Sequence, residues 1–515
     1  MKTKIVPLIG EPVETLYQLG LRERDAFLRL EARVRKLLST NQLLGFGQEV
    51  VTRAKVLLRK RGPGYFDACV EAYARGLGIE PVRYHSFLGL FELAAHYGQA
   101  YPELKALLPG CTSVITRRGA DLIHARLLDF PLVGIFEDLP RLYYWQAPGK
   151  EPLLTYSCEG LAPLFFQAVH GAGVSFAVHH KPGNAYFSEG QGIFQVIFEA
   201  LLQSKTFGEL KKDLRRRQTL TKWSLVLLDK GGAVHAVDLD GPSQNSESYD
   251  ANTAGPLIFT NIPLKGEPDS FRSFIRFSED RQNWVKERLC AQRDRHLLDL
   301  LTDVEAAAEK GWLHPAGTLA TVGAWAVNLG QGLVDLKEGT GALTGNDALL
   351  RVNLGKDNDL SLLRPAAPLT PFEEAWKRAS RAQAAFDQGD YDVAYHELQM
   401  AHALTPDEVW RSIFTFYLCL WDFKFIGNSR ELAQVYKVAK RLRLPPLLRD
   451  QWIFLVMRLE RRLDLAPTVS HHDVSPEQQA RFQQEKLAGK ALFATWMKLL
   501  YPRMEILDVF SPHHR

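Results

Sequence analysis

The stretch LLPGCTSVITRRGADLIHARLLDF, Leu107 to Phe130, decides how the rest of the chain is read. A cysteine follows directly on Pro109-Gly110 and opens the first of two short apolar runs, TSVIT and LIHARLL, which flank RRGAD. Short β-favouring runs separated by a Gly-containing turn are the signature of a hairpin. With Arg118-Gly119 as a two-residue loop, Arg117 faces Ala120 and Cys111 faces Arg126. Directly opposed residues hold their Cβ atoms about 4.5–5.5 Å apart. The expectation is therefore Arg126 beside the thiol, with Asp129 just beyond the strand end. A guanidinium in that place favours the thiolate and lowers the thiol pKa.

The backbone nitrogen of Cys111 matters as much as its sulfur. If the Gly110–Cys111 bond were cut, one residue would carry both a thiol and a free α-amine. An α-amine titrates near pKa ~7.7–8, close to the optimum for a general base at neutral pH. Gly110 offers no side chain to hinder attack on its carbonyl and tolerates unusual backbone angles. The pattern reads as a self-activating nucleophile. The plainer alternative is a buried inert thiol beside a structural Arg126–Asp129 ion pair, since free cysteine is among the most buried residue types.

The bulk numbers set the class. A chain of 515 residues exceeds one core and implies several domains. Its 46% hydrophobic and 24% charged residues are ordinary for a globular protein. With 63 Lys+Arg against 59 Asp+Glu, the charge is too balanced for a dedicated nucleic-acid binder. The five cysteines (Cys69, Cys111, Cys158, Cys290 and Cys419) are scattered, with no metal-ligand spacing, so neither metal nor cofactor is expected. The N-terminus is too interrupted for a signal peptide, and no window reaches the length of a membrane span. The chain reads as cytoplasmic. KKDLRRR reads as a solvated helix face, and EGTGALTG lacks the following helix that a dinucleotide loop needs.

Residues from about Glu14 to Glu103 carry helical periodicity. From Cys111 the texture turns to strands (GVSFAVHH, WSLVLLD, AVHAVDL, PLIFTNI, LATVGAWAVNLGQGLVDLKEG, ALLRVNL), interrupted by helical GIFQVIFEALLQ, TFGELKKDLRRR and SFRSFIRFSEDRQNWVKERLCAQRDRHLLDLL. That order points to an α+β layered domain and not to a regular βαβ alternation. RPAAPLTP, residues 364–371, is a linker by composition, and everything beyond it is helical. Within 372–515, RAQAAFDQGDYDVAYHELQMAHALTP resembles one tetratricopeptide-like helix-turn-helix unit. The expected division is a helical segment 1–110, a core 111–363, the linker 364–371 and a small all-helical module 372–515.

Several motifs, taken in order, resemble the penicillin-acyltransferase-like and choloylglycine-hydrolase-like branch of the N-terminal-nucleophile (Ntn) hydrolases. Gly10, Pro12, Glu14 and Gly20 match its opening G-x-P-x-E and following glycine. GCTSV matches the processing site, with Gly110 and Cys111 flanking the cut. HARLLDF matches R-N-x-D at Arg126 and Asp129, FTNIP matches T-N-H at Asn261, and SFIRF matches S-x-x-R at Ser273 and Arg276. The resemblance implies a four-layer αββα sandwich preceded by a helical pro-segment, autoproteolysis before Cys111, and chemistry at an amide carbon–nitrogen bond. It also implies Asn261 as an oxyanion donor. Where the family carries asparagines, HGAGVSFAVHH has His170 and His179, and Ile262 follows Asn261 where histidine is common. These departures bear on the substrate more than on the chemistry.

The implied substrate is a small N-acyl amide or a peptide. Transfer in place of hydrolysis would admit an acyl-CoA donor, and the C-terminal helices are the expected docking place for a protein partner. Two other readings stand beside this one. The first is a catalytically retired scaffold that uses its helical module for binding; the second is self-cleavage that serves maturation only.

Overall fold

A computed structural model of the chain describes residues 2–40, 64–97, 110–130, 134, 136, 139–181, 186–265, 272–292, 294–309, 316–355, 358–445 and 448–499. The hairpin forms at the expected place, as strands at Cys111–Arg118 and Asp121–Asp129. Its register differs from the expectation by two residues. Arg118 pairs with Asp121, so the loop is Gly119-Ala120, with Gly119 at φ 62°. Ser113 therefore opposes Arg126, and Cys111 opposes Leu128. Side chains alternate with a period of two, so a slip of two leaves every residue on its original face. Arg126 stays on the Cys111 side and reaches it along the diagonal.

The strands assemble into two sheets. The first is ordered β1 (Lys4–Ile9), β4 (Pro140–Gln146), β5 (Leu153–Cys158), β6 (Gln167–His170), β7 (Val174–His180), β8 (Lys222–Asp229), β9 (Ala233–Asp240) and β10 (Ser243–Asp250). The second is ordered β11 (Leu257–Phe259), β2 (Cys111–Arg118), β3 (Asp121–Asp129), β12 (Thr321–Asn328), β13 (Leu333–Glu338), β14 (Ala348–Asn353) and β15 (Asp359–Arg364). The N-terminal β1 lies parallel to β4, and every other pairing is antiparallel.

The alternation along each strand decides what packs where. Helices α1 (Pro12–Thr40), α2 (Tyr65–Gly76), α3 (Pro81–Tyr97) and α4 (Ile193–Gln203) bury Phe27, Tyr73, Phe87 and Phe198 in one cluster with Trp145, Phe176 and Leu225 of the first sheet. α1 and α2 approach closely at Gly20 and Gly76. A Cβ on Gly20 would lie 2.4 Å from the Tyr73 carbonyl oxygen, so the contact tolerates no side chain. The short α5 (Phe207–Leu214) starts from Thr206, whose hydroxyl accepts from Glu209 N at 3.1 Å. On the second sheet, Val114, Ala125, Leu127 and Ala324 pack against Trp284, Val285 and Leu289 of α6 (Arg272–Ala291) and Leu298 and Leu301 of α7 (Leu297–Leu301). Ile115 of the second sheet joins Val226, Leu228 and Ala236 of the first in a further cluster. Two side-chain bonds also link the sheets, Ser113 Oγ to His179 Nε2 at 2.8 Å and His124 Nδ1 to Ser175 Oγ at 2.9 Å.

After α8 (Val304–Glu309) and β12–β15, the chain turns helical, as its composition predicts. Pro371 is the first residue of α9 (Pro371–Asp387). Thr370 and Glu373 form a reciprocal capping box, with Glu373 N to Thr370 Oγ1 at 3.2 Å and Thr370 N to Glu373 Oε2 at 3.1 Å. α9 and α10 (Tyr391–Leu404) form a helical hairpin around Gly389 at φ 73°. The helices α11 (Glu408–Phe425), α12 (Ser429–Ala439), α13 (Arg449–Arg462), α14 (Pro476–Leu487) and α15 (Lys490–Leu499) follow. Phe372, Trp376 and Ala379 of α9 share a cluster with Val304, Leu319 and Ala342, which lie before the linker. The buried Lys377 Nζ pairs with Asp347 at 2.9 Å and donates to the Thr340 and Ala342 carbonyls at 3.0 and 3.1 Å. Deleting one partner of a buried pair typically costs about 3–5 kcal/mol. A chain ending at Arg364 should therefore be destabilised by at least that order in urea unfolding, whereas one ending after Thr405 should keep most of the loss at bay. Equal midpoints for the two would show that α9 contributes nothing to the sheet beneath it.

Among the described residues, no helix is long and apolar enough to cross a membrane. Strands β1, β4, β5, β6, β10 and β15 are additions to the sequence reading. β10, SQNSESYD, is an edge strand with alternating exposure and no apolar pattern to announce it.

Candidate active site

Cys111 opens β2 at a point where four elements converge, and only 1% of it is exposed. Its backbone nitrogen donates to Asn261 Oδ1 at 3.0 Å, and Arg126 donates a guanidinium N–H to its Sγ at 2.9 Å. Arg126 is held from behind by the carbonyls of Phe166 and Val178. The hairpin therefore does bring Arg126 to the thiol.

The effect on the thiol differs from the expectation. Burial pushes the Cys111 pKa up and outweighs the opposing pull of Arg126. The thiol is therefore harder to ionise than the neighbouring guanidinium alone would make it.

Asp129 ends β3, and its backbone nitrogen donates to the Gly110 carbonyl at 2.9 Å. Its carboxylate accepts from Arg281 at 2.8 Å and from Thr321 Oγ1 at 2.5 Å. The structure thus places Asp129 on the residue that precedes Cys111 and pairs it with Arg281, not with Arg126. Burial lifts the Asp129 pKa even against Arg281. Gly110 has no room for a side chain, because a Cβ would sit 2.7 Å from Asp129 Oδ2 and 2.9 Å from an Arg281 nitrogen.

Asn261 follows β11, 150 residues from Cys111 in sequence. Its Oδ1 also accepts from Arg281 at 2.7 Å, and its Nδ2 donates to the His180 carbonyl at 2.7 Å. Two donors on one side and a carbonyl on the other settle which way the amide faces. Arg281 is the site residue missing from the sequence reading. Its signal was present, because Ser278-x-x-Arg281 repeats the S-x-x-R spacing of Ser273 and Arg276 five residues later, with Arg281 donating to Ser278 Oγ at 3.1 Å. Ser273 and Arg276 lie on α6, and their side chains are outside the described residues.

The two histidines separate. His179 joins the cluster, bound to Ser113 and held neutral by burial and by the Arg126 charge, which drive its pKa well below the usual value. His170 does not. Its Nε2 meets the Leu201 carbonyl at 3.0 Å and its Nδ1 accepts from Ala172 N at 3.2 Å, which ties it to the β6–β7 turn and α4.

A residue bearing a nitrogen and a sulfur, each aimed at a fixed polar partner and preceded by a glycine, can carry out nucleophilic acyl chemistry. No protein-family model matches the chain, and no curated protein matches it. Among solved structures, it is similar to several at low identity. One is an N-acylethanolamine-hydrolyzing acid amidase ortholog from Caenorhabditis elegans, at 16% identity and TM-score 0.32, matching 43% of this chain and 93% of that one. Penicillin V acylase from Agrobacterium tumefaciens gives 14% and 0.30, over 50% of this chain and 99% of that one. A mutant conjugated bile acid hydrolase from Clostridium perfringens gives 10% and 0.32, over 50% and 96%. At such identities and scores the weight falls on the geometry around Cys111.

Proposed function

We propose that the chain is an autoprocessed Ntn-type amidohydrolase or acyltransferase with a four-layer αββα core and Cys111 as nucleophile. One observation carries the reading: the same buried residue has its nitrogen 3.0 Å from Asn261 Oδ1 and its sulfur 2.9 Å from Arg126. Cleavage after Gly110 would turn that nitrogen into an α-amine. The amine takes the thiol proton as Sγ attacks the amide carbonyl of an N-acyl small molecule or peptide. The second N–H of Asn261 Nδ2, beside the one given to the His180 carbonyl, and backbone N–H groups receive the oxyanion, the carbon–nitrogen bond breaks, and the departing amine leaves with the proton held by the α-ammonium. The thioester is then resolved by water or by an acceptor amine. On this reading the pro-segment is residues 1–110, the core 111–363, and the tetratricopeptide-like module 372–515 serves a protein partner.

The retired-scaffold reading draws support from the burial of the thiol, and alkylation separates the two. Cys290 is exposed and would react first, so Cys290→Ser is the background to use. Burial pushes Cys69 and Cys419 up to about 12. In Cys290→Ser protein treated with iodoacetamide at neutral pH, mass spectrometry should find label on Cys111 at least tenfold faster than on Cys69, Cys158 or Cys419. Uniform slow labelling of all four would favour the scaffold.

A further inference from the structure

Lys181 follows β7 directly and is buried, yet among the described residues no carboxylate touches its ammonium. Its Nζ donates to the Thr260 carbonyl at 2.8 Å and also to the Ile262 carbonyl. Those are the two carbonyls on either side of Asn261. The turn is gripped again two residues later, where Leu264 N donates to Asp238 Oδ2 at 2.6 Å. A third hold comes from the His180 carbonyl on Asn261 Nδ2. β7 and β9 together thus frame the segment that presents Asn261 to Cys111.

Resting on the function proposed above, we propose that Lys181 is a positioning residue that clamps the Thr260–Ile262 turn and thereby sets Asn261 for both self-cleavage and acyl transfer. An ammonium donates to two carbonyls more strongly than a neutral group does. A side-chain donor for an oxyanion must also be fixed before the reaction, because displacement by about 1 Å can cost about 10²-fold in rate.

The clamp carries its own pH dependence. Burial brings the Lys181 pKa down to about 8. The charged groups facing it are Asp238 on β9, which favours the ammonium, and Lys222 on β8 and Arg281 on α6, which oppose it; Cys111 on β2 favours it when ionised. His179 and His180, its neighbours on β7, are neutral, with His180 held near 3. The ammonium therefore prevails below about pH 8 and is lost above it. Acyl transfer should climb as the α-amine of Cys111 deprotonates and fall again as Lys181 loses its proton; self-cleavage, in which Cys111 N is still an amide, should show the Lys181 limb without the amine's rise.

The test follows self-cleavage of full-length chain made by cell-free translation and shifted to buffers from pH 6 to 10. Wild type should show a falling limb near pH 8. Lys181→Arg stays charged throughout this range, so it should cleave within about fivefold of wild type and lose the limb. Lys181→Met should cleave on the order of 10²-fold more slowly. A wild-type rate flat from pH 8 to 10, or Lys181→Met cleaving normally, would overturn the clamp while leaving the proposed function intact. If wild type never cleaves, that function fails, and amide hydrogen exchange decides the clamp. Exchange of residues 257–264 should rise at least tenfold in Lys181→Met and stay near wild type in Lys181→Arg; unchanged exchange in Lys181→Met would remove the clamp as well.

Discussion

Wild-type protein is expected to run on a denaturing gel as two pieces, Met1–Gly110 and Cys111–Arg515, that elute together under native conditions. N-terminal sequencing of the larger piece should begin Cys-Thr-Ser-Val. On the proposed function the chemistry would be an N-to-S acyl shift: the thiol attacks the Gly110 carbonyl carbon, the carbon–nitrogen bond breaks, and the nitrogen takes the thiol proton and leaves as the α-amine of Cys111. Water then hydrolyses the thioester and frees the Gly110 carboxylate. The Gly110 carbonyl is held at 2.9 Å by Asp129 N, which on that proposal orients the bond to be cut. Cys111→Ala should stay a single chain, because no thiol remains. Gly110→Ala should cleave far more slowly, since its Cβ would press on the Asp129–Arg281 pair.

The pieces should stay together because β1 is a parallel strand on β4 and α1–α3 share a core with the first sheet. Glu23 of α1 adds a buried tie. It accepts from Tyr73 at 2.5 Å, Tyr143 at 2.7 Å and Gly160 N at 2.9 Å, two of these beyond the cut. A wild type found intact yet fully active on an amide would end the mechanism, and an intact, inactive one would favour the scaffold.

The second large effect belongs to Arg281. Its guanidinium bonds Asp129, Asn261 and Ser278 at 2.8, 2.7 and 3.1 Å. Burial keeps the Asp129 pKa raised despite this partner, so the pair is not a large net source of stability. Breaking it is another matter. Arg281→Met leaves a carboxylate stranded, and loss of one partner of a buried pair costs about 3–5 kcal/mol. Urea unfolding should show a loss of that order, together with abolished cleavage, because Asn261 loses its second support. Arg281→Lys keeps the charge but cannot fork to three acceptors, so it should recover much of the stability and little of the cleavage. Arg281→Met with a wild-type midpoint and normal cleavage would remove Arg281 from the site.

The features legible from sequence were those set by neighbours in the chain. The TSVIT and LIHARLL runs with their Gly-containing turn specified a hairpin, and the composition of RPAAPLTP marked where the chain turns helical. The choice of Cys111 and Arg126 as partners survived a register error because a two-residue slip preserves strand faces. Asn261 was reached through motif resemblance, not through periodicity. The sequence does not single out Arg281, because S-x-x-R occurs twice within one helix and only packing against β11 and β3 selects the second copy.

Other properties were decided by tertiary structure. The β1 pairing with β4 and the polar edge strand β10 rest on partners far along the chain or on an edge that needs no apolar pattern. The upward shift of the Cys111 pKa follows from complete burial between elements, which no local pattern reports. Lys181 looks like any surface lysine in the sequence and becomes a clamp only when Thr260 and Ile262 arrive beside it. Local order follows from steric and hydrogen-bonding preferences that act over a few residues. The site, by contrast, brings Cys111 to Asn261 across 150 residues and Asp129 to Arg281 across 152, contacts that exist only once β11 and α6 have packed beside the β2–β3 hairpin.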